Sequence, residues 1–139
     1  MNEKIKEPVS KIMTKDVLTL DLKEGLTKAC SLFREKKIRH LPIIQNDKMV
    51  GILSYNDIAR LSFGDVYDDK IAIDQTIYKL LKIEQLMVEN PVKVKPDDSI
   101  LKVAKILIKN KFHALPVVDK RKLLGIVSTT DLLKYLIAD

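Results

Sequence analysis

Apolar residues fall along this chain in two textures. One recurs at helical spacing: Leu26, Ala29, Cys30 and Phe33 in the first half, Ile100, Val103, Ala104 and Leu107 in the second. That spacing places each set on one face of a helix, and Asp97, Asp98 and Ser99 stand where the second helix would start. The other texture is the short unalternating run. Leu41-Pro-Ile-Ile44 and Val50-Gly-Ile-Leu53 return as Leu115-Pro-Val-Val118 and Leu124-Gly-Ile-Val127, and such runs predict strands covered on both faces. Gln45 to Met49 and Asp119 to Leu123 are of hairpin-turn length. Upstream, Val17-Leu-Thr-Leu20 and Val92-Lys-Val94 have strand character. A last helix is predicted from about Asn56, and again from about Thr130.

The two halves are one unit written twice. A shift of 74 residues carries Met13 onto Met87, Leu41-Pro42 onto Leu115-Pro116, Gly51-Ile52 onto Gly125-Ile126 and Asp57 onto Asp131. No gap is needed from Val9–Arg60 onto Ile83–Lys134, and about ten pairs are identical. The unit reads β-α-β-β-α. A unit of roughly fifty residues buries too little apolar surface to be comfortable alone, so the copies are expected to pack against each other around a pseudo-two-fold axis. The boundaries read as 8–62, a connection over 63–82, and 83–137. The polar tract 64–70 predicts an exposed loop, and Asp74 a helix cap before Ile77, Leu80 and Leu81.

Composition adds a packed core under a charged surface. Of the 139 residues, 46% are hydrophobic and 32% charged, which suits one folded domain of ordinary size. No apolar run is long enough to span a bilayer, and Met1 to Glu7 lacks the apolar core of a signal peptide. The single Cys30 cannot make an internal disulfide. The expected location is the cytoplasm, away from membranes. A net charge of +6 favours anionic partners: nucleotides, nucleic acid or acidic protein faces. The lysines are scattered, so most of them read as solvated surface.

The repeated residues also carry a resemblance. Each copy opens on an apolar residue and Met (Ile12-Met13; Leu86-Met87) and passes through the amphipathic helix and the Leu-Pro strand. Each ends on Gly-apolar-apolar-Ser-x-x-Asp, here Gly51-Ile-Leu-Ser-Tyr-Asn-Asp57 and Gly125-Ile-Val-Ser-Thr-Thr-Asp131. Over about residues 8–137 the chain resembles a tandem pair of CBS motifs, a Bateman module. The resemblance implies an α/β fold of two β-α-β-β-α CBS motifs with a cleft between them for adenosine-containing ligands: AMP, ADP, ATP, S-adenosylmethionine or dinucleotides. It implies ribose held by Asp57 and Asp131, with Ser54, Asn56, Ser128 and Thr130 beside sugar or phosphate. It implies a purine sandwiched by Val17 and Ile43 in the first copy, Val92 and Val117 in the second. Such modules commonly pair into disc-like dimers, so a homodimer through the helices is expected.

The residues themselves leave two readings open. A carboxylate accepts hydrogen bonds from two vicinal hydroxyls, which suits ribose, and a helix's first turn favours a phosphate nearby. Ser54-x-x-Asp57 and Ser128-x-x-Asp131 equally match a capping box, and one aspartate can serve both ends. Arg39 and His40, with His113 and Ala114 at the aligned positions, stand before the second strand beside Lys36, Lys37 and Lys111. Arg39, His40 and His113 read equally as phosphate ligands or as an exposed basic loop, whereas the lysines read as surface. If phosphate binds, the two sites are not equivalent. Gly51 and Gly125 allow a close approach of backbone or ligand. Pro42 and Pro116 end a ladder or sit at a strand start, leaving backbone free for a purine edge. Met13 and Met87 fill gaps between motifs or subunits, and Cys30 packs as a small hydrophobe. Tyr55 reads as an exposed loop residue able to stack on a base.

Three function classes follow. The leading one is a regulatory module that senses an adenosyl ligand, needs no cofactor, and changes conformation or association, acting on a protein target or alone. An enzyme is rejected: there is no Walker loop, dinucleotide fingerprint or nucleophile–base pair. One Cys and two His give no zinc-ligand spacing. A nucleic-acid- or protein-binding scaffold is the alternative, and nucleic acid ranks second because aromatics total only 5% and do not interleave with the basic residues.

Overall fold

The fold is described from a computed structural model over residues 2–60 and 80–138. The expected loop at 64–70 and cap at Asp74 lie outside those residues. In chain order the described elements are α1 (Asn2–Ile5), a 3-10 turn (Val9–Lys11), β1 (Leu20–Asp21), α2 (Leu26–Lys36), β2 (His40–Gln45), β3 (Lys48–Ser54) and α3 (Tyr55–Ala59). They continue with α4 (Ile83–Leu86), β4 (Val88–Glu89), α5 (Ile100–Asn110), β5 (Ala114–Asp119), β6 (Lys122–Ser128) and α6 (Thr129–Ile137). The chain forms two compact units. One is Leu18–Pro91; the other joins Met1–Val17 to Val92–Asp139.

The Leu18–Pro91 unit is a four-stranded sheet ordered β1-β2-β3-β4 under α2. Leu26, Ala29, Cys30 and Phe33 of α2 are buried, as their spacing predicts, against Leu20, Leu41, Ile43, Leu53 and Ile58. Strands β2 and β3 join through Asn46-Asp47, both at positive φ (52° and 66°), the two-residue geometry whose twist matches a hairpin. The register slips between Ile43 and Ile44, leaving Val50 as the bulged residue.

The other unit repeats this plan. Strands β5 and β6 pair with the same slip, between Val117 and Val118, and turn through Lys120-Arg121 at φ 50° and 70°. Val94 bridges Val117 in parallel and Thr14 bridges Ile126 antiparallel. Helix α5 buries Ile100, Val103 and Leu107, with Ala104 half-buried beside them. Its N-cap is Ser99, whose Oγ accepts from Lys102 N–H at 3.1 Å. The N-terminal arm belongs here too. Val9 N–H donates to Asp98 O (2.8 Å), Ser10 N–H to Pro96 O (3.0 Å), and Ile100 N–H to Glu7 O (2.9 Å). Lys4 Nζ donates to Tyr135 O (2.9 Å) and Ala138 O, terminal carbonyls of α6, where a cation suits the helix dipole.

The leading segments are therefore exchanged. Thr14, from the first repeat, edges the second repeat's sheet, while β4, from the second, edges the first's. The glycines make that approach possible. A Cβ on Gly51 would lie 2.6 Å from Met87 Sδ and 2.9 Å from Val88 O; on Gly125 it would lie 2.6 Å from Thr14 O and 3.0 Å from Met13. Each methionine thus packs on the glycine of the other repeat.

Proline explains why the first strands are shorter than their sequence suggests. Val94 N–H donates to Pro116 O (3.0 Å) and Val118 N–H to Val94 O (2.8 Å). The preceding rung would need an N–H on Pro116 to reach Val92 O, and proline has none. Pro42 stops pairing upstream of Leu20 in the same way, since Leu20 pairs with Ile43. The expected strands at Val17–Leu20 and Val92–Val94 reduce to Leu20–Asp21 and one bridge at Val94. Both prolines are third residues of their strands, not first.

Candidate functional site

Each unit gathers its repeated polar residues where one strand ends and a helix begins. In the first, Ser54 closes β3 and caps α3. Its Oγ accepts from Asp57 N–H at 3.1 Å, and Asp57 Oδ2 accepts from Ser54 N–H at 3.1 Å. In the second, Ser128 and Asp131 do the same at 3.1 and 2.9 Å. Both are complete capping boxes. The box consumes one oxygen of each carboxylate. Asp57 Oδ1 lies 3.5 Å from the Arg60 guanidinium, while Asp131 has no ion pair among the described residues. Both aspartates are half-buried, and Asn56 and Thr130 are exposed beside them.

The residues before β2 and β5 are drawn to the same corner by the ladder. His40 pairs with Ser54, and Tyr55 N–H donates to Arg39 O at 2.9 Å. Ala114 pairs with Ser128, and Thr129 N–H donates to His113 O at 2.9 Å. Arg39, His40, Ser54, Asn56 and Asp57 thus form one cluster; His113, Ser128, Thr130 and Asp131 form its counterpart.

Tyr55 is not the exposed loop residue that its polar neighbourhood suggests. It is the first residue of α3 and half-buried. Its ring stands edge-on to Phe33 (centroids 6.1 Å, planes at 86°) and carries the Arg39 guanidinium 5.0 Å from its centre. The counterpart of Tyr55 is Thr129, and that of Arg39 is His113.

The four residues expected around a purine divide. Ile43 and Val117 have no exposed surface and lie in the cores of their own units. Val17 is half-buried, and Val92 is 41% exposed. The strict shift of 74 residues pairs Val92 with Leu18 rather than Val17, and Leu18 is exposed to the same degree, 39%. Leu18, not Val17, is therefore the repeat counterpart of Val92. Lys36, Lys37 and Lys111 are exposed, and the last two end α2 and α5 in the left-handed region. Among the described residues no cluster of His, Cys, Asp and Glu could hold a metal ion, and no helix is long and apolar enough to cross a membrane.

One apolar surface belongs to the second unit. Ala104, Leu107, Ile108, Phe112, Leu132, Leu133 and Leu136 line a groove of about 480 Å³ between α5 and α6. Ile108 is 77% exposed and Ile137 80%.

Known proteins share this fold. The family model described as "CBS domain" matches twice, at residues 9–64 and 83–138. Protein MJ1225 of Methanocaldococcus jannaschii is 26% identical in structure-based comparison with TM-score 0.80, over 94% of this chain and 48% of that one. The CBS domain pair of protein MJ0100, solved with 5′-methylthioadenosine and S-adenosyl-L-methionine, is 26% identical with TM-score 0.73, over 93% and 94%. CBSX2, solved with AMP, is 26% identical with TM-score 0.77, over 94% and 96%. A homoserine O-acetyltransferase of Methanohalobium evestigatum is 34% identical over 89% of this chain but only 23% of its own length. The chain spans between 23% and 45% of the first curated relatives that it matches. Two matched motifs, an α/β fold shared with CBS pairs and the twice-built Ser-x-x-Asp corner lead to one assignment: the chain belongs to the CBS-domain family.

Proposed function

We propose that the chain is a regulatory module that binds an adenosine-containing ligand (AMP, ADP, ATP or S-adenosylmethionine), with ribose on Asp57 or Asp131. The observation that carries this reading is the division of labour within each carboxylate. The capping box holds one oxygen and fixes the side chain. The other oxygen, which at Asp57 also faces the exposed Arg60 at 3.5 Å and at Asp131 has no ion pair among the described residues, can accept from ribose hydroxyls. The cap and the ribose site are therefore one device. Similar CBS pairs solved with AMP and with S-adenosyl-L-methionine support the ligand class. In the Leu18–Pro91 unit a purine would lie against Leu18 with Ile43 behind it as packing, and in the other unit against Val92 with Val117 behind it. Pro42 and Pro116 leave the Leu18 and Val92 carbonyls without a ladder partner on that side, acceptors suited to a purine amino edge. In this reading the module catalyses nothing, works in the cytoplasm, and acts through a protein target or alone.

The exposed apolar groove between α5 and α6 supports a homodimer through the helices, because contiguous apolar surface of this kind commonly marks an interface. Ligand binding would then change how the copies associate.

The test is thermal melting with AMP, ADP, ATP and S-adenosylmethionine, for the natural chain and for Asp57→Asn and Asp131→Asn. Asparagine keeps an oxygen for the cap but replaces the ribose acceptor with a donor. Ligand at about a hundred times its Kd adds about 2.7 kcal/mol, a rise of several degrees for a chain this size. The expected result is a rise with at least one ligand that an asparagine variant removes without itself melting much lower. Sedimentation of the same samples, expected at twice the 15.9 kDa chain mass, reads the dimer. No rise with any ligand would sink the sensor reading and leave a protein- or nucleic-acid-binding scaffold.

A further inference from the structure

The two polar corners share a backbone and differ in charge. In the Leu18–Pro91 unit, Arg39 sits over the Tyr55 ring at 5.0 Å, Tyr55 is braced edge-on by Phe33, and Arg60 stands 3.5 Å from Asp57. At the aligned places the other unit has His113, Thr129, Leu107 and Lys134. Thr129 and Leu107 offer no counterpart to the Tyr55 and Phe33 rings.

A guanidinium is charged at every pH at which a protein folds, and its planar fork matches two phosphate oxygens at once; an imidazole offers neither. Stacking on an aromatic face also restricts a long flexible side chain before any ligand arrives, so less freedom is lost on binding. Arg39 remains exposed while stacked, so its N–H edge is open to solvent or to a ligand. Its backbone is tied to the first residue of the capped helix by the Tyr55 N–H bond. The distance from ribose acceptor to cation is thereby set by the fold rather than by a mobile loop.

We propose that Arg39, held over Tyr55, makes the Leu18–Pro91 unit select adenosine ligands that carry a 5′-phosphate, whereas the unit built on His113 and Thr129 makes no such selection. This rests on the adenosyl reading above. Arg39 is a specificity residue in this scheme, and Tyr55 and Phe33 position it. The consequence is a module whose two corners answer to different members of one ligand class.

The experiment is calorimetric titration of the full chain with AMP and with adenosine, matched probes that differ only in the phosphate. The quantity read is the ratio of their affinities. The natural chain should prefer AMP, and Arg39→Gln should lower that preference about ten- to a hundredfold, the worth of a hydrogen-bonded pair with a charged group. The salt dependence of AMP binding should flatten with it. Arg39→Lys, which keeps the charge and loses the fork, should fall between the two and serves if the glutamine variant does not fold. His113→Gln should move the ratio less than Arg39→Gln. An unchanged ratio in Arg39→Gln, or an equal change in His113→Gln, overturns the proposal. Adenosine binding without preference for AMP in the natural chain sinks this inference alone; binding of neither probe sinks it too, and the adenosyl reading then falls only if ATP and S-adenosylmethionine also leave the melting temperature unchanged.

Discussion

The two repeats solve the same backbone problem with different side chains. In the Leu18–Pro91 unit the hairpin turns on Asn46-Asp47, and short polar side chains tolerate positive φ. In the other unit the same turn rests on Lys120-Arg121 at nearly the same angles, where long side chains bear a conformational cost. The first unit closes its polar corner with an aromatic stack. The second has none, and instead gains the N-terminal arm, through Lys4 on the α6 carbonyls and Glu7 on the start of α5. Duplication fixed the geometry that both copies need, the glycine, the proline and the capping box, and left the remaining chemistry free to diverge.

The glycines provide the largest contrast. Gly51→Ala and Gly125→Ala each force a methyl group into an occupied place, and overpacking of that kind costs about 1–3 kcal/mol. The obstacles differ. At Gly51 the nearest atom is Met87 Sδ, the end of a flexible side chain, whereas at Gly125 it is the Thr14 carbonyl oxygen at 2.6 Å. Denaturant unfolding should therefore show both variants destabilised and Gly125→Ala the more so. Adding Met87→Ala should recover part of the loss at Gly51, although Val88 O at 2.9 Å limits it. Equal stability of the natural chain and Gly125→Ala would mean that the leading segment does not lie against the second repeat's sheet.

The hairpins come next. Left-handed backbone costs an ordinary residue about 1–2 kcal/mol, and Asn-Gly is the pair that suits this turn best. Lys120→Asn with Arg121→Gly should stabilise the chain by about 1 kcal/mol after the entropy that glycine adds to the unfolded state. Asp47→Gly should gain less, because Asn46-Asp47 already suits the turn. Melting temperatures read the difference. A loss of stability in the double variant would show that the lysine and arginine make native contacts that outweigh their backbone cost.

Much of this is legible in the sequence. The spacing of Leu26, Ala29, Cys30 and Phe33 names a buried face because helical geometry leaves little choice. The repeat names the strands, the turns and both Ser-x-x-Asp boxes. Three things escaped. The short first strands depend on an N–H that proline lacks at a residue some 24 positions away, a nonlocal fact that strand propensity does not carry. The exchange of leading segments is a matter of partner choice between near-identical sheets, and both choices bury the same kinds of side chain. Tyr55 looked like loop because α3 begins at it; only Phe33 beneath the ring and Arg39 above it reveal a platform.

The smallest expected difference lies at the starts of α2 and α5, where Glu24 and Asp98 are counterparts. Lys28 meets Glu24 at 2.7 Å, and Lys102 meets Asp98 at 3.0 Å. The shorter Asp98 also accepts from the Lys95 N–H at 2.8 Å, whereas Glu24 accepts from Asp21 N–H only at 3.4 Å. Burial alone would raise the Asp98 carboxyl, but the Lys95 N–H and the Lys102 ammonium outweigh it and hold its pKa below the usual carboxylate range. A depressed folded pKa means that the unfolded state binds the proton more readily. The stabilisation is therefore fully present above the unfolded value of about 3.9 and fades as pH falls through the lower folded value. Asp98→Asn should lower stability at neutral pH and change it little in strong acid, so its unfolding curve and the natural one converge below about pH 4. The same substitution leaves the Lys95 N–H a neutral amide oxygen in place of a carboxylate, a weaker acceptor, next to the chain that pairs with Val9, so hydrogen exchange at the Val9 amide should quicken as well. Curves that stay parallel into acid would mean that Asp98 acts through geometry alone and its charge adds nothing.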